Sequence, residues 1–491
     1  MGFHKDAVSI FAMSLIFLSF VSFVSTGFNS ISIDGWRHLS SAENIYLGRG
    51  YVVDTLWPLN EGLKDLPQKE FVSQPLYPFL VSLAFMAFGL SFKAAAAVNI
   101  IVESLNSVLT SMMAFEFTKS RKYSLLAGIL YATNIYVMGR VVNYLTESLF
   151  TLFSLIAFLL LLRKRSGNNS ILLGACVGLA FLTRMQAILL LLSVIYFLAG
   201  QNGRKAAKSI AVVIAAAALV ASPSLLRNWS EKGNPFYTPS QYAILLPYPA
   251  KNYQSSMNTP STAEIISRIN AENMLVWIEN VKRMLSAMVL DLGSVFAFFL
   301  MLAGLTGWLK FRKDHLLLIR TGFLYFAVTF LIIVTSYVQD RYLQFTIPLM
   351  TALAAVGLKK TFQFADMEKS PLQYYVIGTI VVMTVAAGIM DANNRTPHVA
   401  AMGSIWLSGK TTPNDVIMGD WPYHADYILK VKAVQTPSQK EYLKPMIDRY
   451  NVTYVIYLPK FDYGVIDGSE SYLALVHENP KAGYQVYRVL R

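Results

Sequence analysis

Residues Pro75 to Leu90, PLYPFLVSLAFMAFGL, decide how this chain threads a membrane. The run is apolar, but as a helix it rises only about 24 Å, short of the roughly 30 Å hydrocarbon core of a bilayer, and prolines stand at its start. Counting it as a full span puts Lys119, Arg121, Lys122 and the run Arg163, Lys164, Arg165 on the outer side. That contradicts the bias of lysine and arginine toward cytoplasmic loops. Treating it instead as an amphipathic or re-entrant helix, inside a long outer loop from Phe28 to about Phe92, brings every basic cluster inside. Arg204, Lys205 and Lys208 then lie inside, as do Lys310, Arg312 and Lys313, and Lys359 with Lys360.

Composition supports a polytopic membrane protein. Hydrophobic residues make up 54% of the chain and charged residues 14%, with a mean hydropathy of +0.44; a soluble fold of this size would leave too much apolar surface in water. The net charge of +13 does not imply nucleic acid, because the basic residues sit in short clusters between apolar runs. The single cysteine, Cys176, allows no intrachain disulfide and reads as a small packing residue. The apolar run from Ala7 to Gly27 follows Lys5, is long enough to span, and ends without a clear cleavage site, so it is expected to be a retained first helix.

The expected architecture is an all-α bundle of about eleven transmembrane helices, over 7–27, 94–117, 123–141, 147–162, 170–183, 185–199, 208–225, 287–309, 316–338, 342–358 and 372–390. Residues 1–390 form the membrane module. Residues 391–491 form a small soluble α/β domain on the outer side, suggested by Asp415–Met418, helix-like Glu441–Tyr450, strand-like Thr453–Leu458 and the closing Tyr484–Val489. With the N-terminus cytoplasmic in the plasma membrane, three outer segments share a side: the loop 28–92, a short turn from Arg140 to Glu147, and the loop 227–285. Asn228 and Asn451 both lie in sequons on that side, so glycosylation in a competent host would report the topology.

Polar chemistry gathers in those segments. Ser32-Ile33-Asp34-Gly35-Trp36-Arg37-His38 follows the first helix directly, and as a helix it places Asp34, Arg37 and His38 on one face. A carboxylate there is suited to take a proton from an acceptor hydroxyl, and Arg37 to hold a phosphate oxygen; the plainer alternative is an exposed ion pair. Glu147 opens the fourth helix beside Thr146, either complementing the helix N-terminus or facing the same cavity as Asp34. Arg184 interrupts a mostly apolar stretch at a hairpin turn, where it either snorkels to headgroups or meets a lipid-linked phosphate. Arg227 and Arg341 stand at comparable outer helix ends. The six histidines have no metal-ligand spacing; no metal or other cofactor is required on this reading, and a divalent ion is compatible with it but unsupported by the spacing. Walker and nucleophile-elbow motifs are absent.

The order of these features resembles the GT-C fold glycosyltransferases, especially protein O-mannosyltransferases and aminoarabinose lipid A transferases. The likeness rests on Asp34, Ala42–Tyr51, Gln74-Pro75-Leu76-Tyr77-Pro78, Thr146–Phe150, Gly178–Arg184, Arg227-Asn228 with Gly233-Asn234-Pro235, and Arg341-Tyr342 before Pro348. The resemblance implies an inverting membrane enzyme that moves a sugar from a polyprenyl phosphate to a hydroxyl of a glycan, lipid or protein at the outer face. It implies Asp34 as the catalytic base, Arg37, Arg184 and Arg341 as contacts to the donor phosphate, and His38, Glu147 and Arg227 as residues of the acceptor or cavity. The aminoarabinose transferases place a lysine before their proline pair where this chain has Ser73 or Gln74, which leaves the sugar open. A secondary transporter or lipid flippase, or a catalytically silent membrane subunit, is the competing reading. The charged residues favour the enzyme, because they fall in outer loops rather than at the midplane of paired interrupted helices.

Overall fold

The computed structural model describes residues 2–25, 31–56, 65–162, 168–200, 204–239, 278–282, 313–334, 346–367, 370–394, 399–420, 422–437, 440–459, 465–469 and 471–490. Its first half comprises α1 (Gly2–Ser25), α2 (Ile33–Tyr46), β1 (Val52–Val53), β2 (Thr55–Leu56), β3 (Gln68–Lys69), α3 (Leu76–Phe88), α4 (Phe92–Thr118), α5 (Arg121–Ala132), α6 (Ile135–Asn143), α7 (Glu147–Leu162), α8 (Asn168–Phe181), α9 (Ala187–Ala199) and α10 (Arg204–Lys232). It continues with α11 (Lys313–Val334), α12 (Ile347–Phe364), α13 (Leu372–Asn394), α14 (Val399–Leu407), β4 (Val416–Gly419), α15 (Tyr423–Leu429), β5 (Lys432–Gln435), α16 (Leu443–Tyr450), β6 (Tyr454–Tyr457), β7 (Leu473–Asn479) and β8 (Tyr484–Val489).

α4 is the hub of the helical part. Ser91 caps it by accepting the Ala94 N–H at 3.2 Å, and left-handed Lys119, at φ 50°, ends it. Its buried face is lined with hydroxyls: Ser107 donates to the Gly128 carbonyl at 2.7 Å and accepts from Ser14 at 2.9 Å, while Ser111 and Ser124 pair at 2.8 Å. Between apolar helices in lipid, burial adds little to association, so close packing and such bonds carry it. α8 and α10 meet through Gly174 and Gly178, one turn apart, where an added Cβ would lie 2.5 Å from the Val213 carbonyl oxygen and 2.7 Å from that of Ala217. Gly178→Val is therefore expected to destabilise the protein by about 1–3 kcal/mol or more through overpacking. Gly378→Ala, with open space around its Cβ, should be tolerated; thermal unfolding in detergent compares the two.

Three described helices are long and apolar enough to cross a membrane: Lys5–Val24 within α1, α4, and Ala206–Lys232 within α10. The expected span 123–141 is instead a pair, α5 and α6, bent by 46°, which makes a fourth if counted as one. The count of eleven is thus not reached among the described residues: α7, α8 and α9 are shorter apolar helices, and 287–309 and most of 227–285 lie outside them. α3 is a 13-residue apolar helix, too short to span, as its proline-led sequence indicates. Phe79, Met86 and Phe88 are exposed on it while Tyr77, Val81 and Phe85 are buried, so it has one face toward the protein and one outward.

The C-terminal part is an α/β unit with a six-stranded mixed sheet in the order β2-β5-β4-β6-β8-β7. β2, β5, β4 and β6 run parallel, with Thr55 opposite Ala433 and Ile417 opposite Tyr454; β8 is antiparallel to both β6 and β7. The expected strand near 453–458 and the helix near 441–450 are present, and the stretches 415–418 and 484–489 carry β4 and β8. One edge strand, β2, comes from the segment between α2 and α3, so this sheet is completed by a segment nearly four hundred residues earlier in the chain than β5. Two further residues of this domain, Tyr423 and Tyr427 of α15, share an apolar core with Trp36 and Leu39 of α2, Tyr77 of α3 and Val137 of α6.

Candidate active site

α2 follows α1 in the chain. Ser32 caps it, accepting the Gly35 N–H at 3.0 Å and donating to the Asn143 carbonyl at 3.3 Å. Gly35 permits this docking: a Cβ there would lie 2.2 Å from the Asn143 carbonyl oxygen. The start of α2, with half-buried Asp34 in its first turn, is thereby pressed against the end of α6. The chain then turns through left-handed Tyr144, at φ 53°, and re-enters a helix at Glu147. The expected turn from Arg140 is shorter than anticipated, because α6 continues to Asn143 with Arg140 wholly buried.

Arg184 closes the group from the turn between α8 and α9. Its Nη1 lies 2.8 Å from Glu147 Oε1 and donates to Thr146 Oγ1 at 2.9 Å, while Nε donates to Gln186 at 3.2 Å. Arg184 and Glu147 are 18% and 5% exposed, so the pair sits largely out of water, where charge–charge attraction is less screened. His38, one turn beyond Asp34, is buried, and its ring stands edge-on to Tyr77 at 5.4 Å. Burial pushes its pKa down to about 4, against the opposing fields of Asp34, Glu147 and Glu70 and with the aid of Arg184. Asp34, Glu147 and Arg184 thus all lie within electrostatic reach of His38, although the four come from three separate parts of the sequence.

His38 is neutral at pH 7, and the sign of its linkage follows. Between about 4 and the ordinary value of 6.5 the unfolded chain binds more protons at this site than the folded one, so stability rises with pH across that window and is lost on acidification. Unfolding followed from pH 7 down to pH 5 should show this loss, and His38→Gln should diminish it. An unchanged slope in the variant would remove His38 as its source.

The remaining expected residues are placed differently. Arg37 is 4% exposed and engaged: Glu70 accepts from its Nε at 2.5 Å and its Nη2 at 2.8 Å, and Nη1 donates to the Tyr423 hydroxyl. Arg227, near the end of α10, donates to the Glu70 carbonyl and lies with Cζ 4.4 Å from the Phe71 ring centroid and 5.0 Å from that of Tyr51. It fastens the segment before α3, which the Leu76 N–H bonds to the Leu182 carbonyl at 2.9 Å and Ser224 bonds to Gln74 at 2.9 Å. Arg341 lies outside the described residues. Among the described residues no group of three or more His, Cys, Asp or Glu side chains is arranged to hold a metal ion.

Two polar groups were not anticipated. Glu70 had no motif to flag it. Glu103 did carry a signal, being a lone carboxylate within an apolar run. Its oxygens accept from Tyr131 at 2.6 Å, Asn106 at 3.0 Å and Arg140 at 3.2 Å, and Arg140 also reaches Thr151 at 3.3 Å. Asn99 and Asn106 extend this network to the carbonyls of Arg140 and Ser148, at 2.8 and 2.9 Å, on either side of Glu147.

Residues 72–226 match the family described as dolichyl-phosphate-mannose-protein mannosyltransferase, under a third of the chain. The matched segment contains Glu103, Arg140, Glu147 and Arg184 but not Asp34. No curated protein sequence matches the chain. Among solved structures, ArnT from Cupriavidus metallidurans bound to undecaprenyl phosphate is similar at a TM-score of 0.65 and 12% identity, with 97% of each chain covered. AglB, the archaeal oligosaccharyltransferase from Archaeoglobus fulgidus, in complex with an inhibitory peptide and a dolichol-phosphate, is similar at a TM-score of 0.62 and 11% identity, over 99% of this chain and 74% of its own. At such identities these likenesses establish the architecture. A segment that matches this mannosyltransferase family thus lies within a chain whose fold is similar to those of ArnT and AglB.

Proposed function

We propose that this protein transfers a sugar from a polyprenyl-phosphate donor to an acceptor hydroxyl at the outer face of the plasma membrane, with inversion at the anomeric carbon. The observation that carries the reading is the convergence of Asp34 and neutral His38 with the Glu147–Arg184 pair, beside helices whose apolar outer faces suit lipid. Asp34 takes the proton of the acceptor hydroxyl as its oxygen bonds to the anomeric carbon, and the bond from that carbon to the phosphate oxygen breaks on the opposite side. The phosphate leaves with the electron pair and needs no protonation if positive charge faces it. Arg184 is the residue proposed to supply that charge. Glu147 and Gln186 orient its guanidinium, as outer partners orient groups that bind a ligand directly. Arg37, enclosed by Glu70 and Tyr423, is proposed to position α2 rather than to bind phosphate; Arg227 is proposed to hold the loop ahead of α3.

The N-terminus is proposed to be cytoplasmic and the C-terminal domain extracytoplasmic, consistent with basic residues flanking the opposite helix ends. The undecaprenyl phosphate of the ArnT structure and the dolichol-phosphate of the AglB structure support a polyprenyl carrier. The test is transfer by the purified protein in liposomes from radiolabelled polyprenyl-phosphate sugars, with nucleotide sugars as a control. Label moved only from lipid-linked donors would uphold the reading. Solute or lipid translocation without glycosyl transfer would replace it with a transporter.

A further inference from the structure

The outer domain is fastened to the helix that carries Asp34. The Trp36 ring packs against Tyr427 with centroids 5.6 Å apart, and both pack against Phe92, at 5.7 and 5.4 Å. Arg37 donates to the Tyr423 hydroxyl and lies with Cζ 5.1 Å from that ring's centroid. Ser40 donates to Asp426, and Glu43 accepts from Lys430. Positions 36 or 37, 40 and 43 recur at the spacing of one helix face, so a continuous stripe of α2 is committed to α15. On its other side the Arg37 guanidinium is met by the Glu70 carboxylate, which also accepts the N–H groups of Val72 at 2.6 Å and Ser73 at 2.9 Å. One buried arginine therefore joins the base helix, the loop ahead of α3 and the C-terminal domain.

We propose that Tyr423 and Glu70 are positioning residues for the transfer reaction: by holding Arg37 from two sides they set where Asp34, one turn earlier on α2, meets the acceptor. This rests on the glycosyl-transfer reading above and makes the C-terminal domain part of the reaction centre instead of a separate appended module. The geometry gives the reason. A general base must lie within about 2.6–3.2 Å of the proton it takes, and displacement by about 1 Å costs on the order of a hundredfold in rate. A short helix entering from a loop needs external anchors to keep that tolerance, and its polar anchors run through Arg37, Ser40 and Glu43.

The test is Tyr423→Phe in the full chain in liposomes. It keeps the ring, its packing and its contact with the guanidinium face, and removes only the hydroxyl that accepts from Nη1. The turnover number should fall about tenfold, with KM for the polyprenyl-phosphate sugar unchanged and the protein still folded at the assay temperature. Hydrogen–deuterium exchange across residues 33–40 should quicken, and Glu70→Gln, which retains shape but loses charge, should shift both readouts the same way. Wild-type turnover and exchange in Tyr423→Phe would overturn the proposal. A raised donor KM at unchanged turnover would also overturn it, assigning Arg37 to the donor phosphate. Exchange reads the fastening whatever the donor: were the wild type itself inactive with every polyprenyl-phosphate sugar, the glycosyl-transfer reading would fail, while faster exchange in the variant would still uphold the anchoring of α2 and unchanged exchange would refute it.

Discussion

Asp34→Asn is expected to lower glycosyl transfer by about 10²–10⁴-fold, the range over which a positioned general base acts. The amide keeps the size and most of the hydrogen-bonding capacity of the carboxylate but cannot take a proton at neutral pH. Asp34 lies in the first turn of a capped helix and is half-buried, so the substitution removes no core packing, and Ser32 still caps the helix. Donor KM should change little, because the proposed phosphate contact, Arg184, stands on a different element. The measurement is steady-state transfer from a polyprenyl-phosphate sugar at matched expression and unfolding temperature. Retained turnover would move the base elsewhere, with Glu147 the nearest alternative carboxylate by its electrostatic reach to His38.

The largest expected effect on stability is at Arg140. Arg140 and Glu103 are both fully buried, and removing one member of such a pair leaves an uncompensated charge, at a cost of about 3–5 kcal/mol. Arg140→Ala should therefore lower the unfolding temperature sharply in detergent. Adding Glu103→Gln removes the stranded charge and keeps a side chain able to bond Tyr131 and Asn106, so the double variant should regain a substantial part of the loss. If the second substitution recovers nothing, the cost belongs to the emptied volume of Arg140 and not to its charge. The network also reaches the Ser148 carbonyl through Asn106, so a drop in transfer activity in the single variant is expected alongside the loss of stability.

Much of the helical part is legible in the chain because its signals are local. An apolar run with prolines at its start and too few residues to span reads as a short non-spanning helix, and α3 is a helix of 13 residues. The capped start of α2 follows from Ser32 ahead of Asp34, and the strands near 416, 454 and 484 follow from apolar runs bounded by turn residues. Asp34, Glu147 and Arg184 are conspicuous for the same kind of reason: each is a charge at the edge of an apolar segment, where keeping it costs free energy. Less legible were the bend between α5 and α6, where hydropathy runs across the break as one span, and the extent of α6, whose buried Arg140 reads as surface until its partner is known.

By itself, then, the sequence determines a membrane-type helical chain, the presence of a C-terminal α/β region and the short roll of charged residues from which a site can be built, since hydropathy, charge bias and capping act over a few turns of chain. Tertiary structure alone decides which of those charges meet. Nothing local to Arg37 announces that Glu70, 33 residues away, and Tyr423, 386 residues away, enclose its guanidinium. β2 reads as loop until β5 pairs with it. A two-residue strand or a lone tyrosine carries no periodicity to announce it, and its role comes from hydrogen bonds and burial that exist only once distant segments have been brought together.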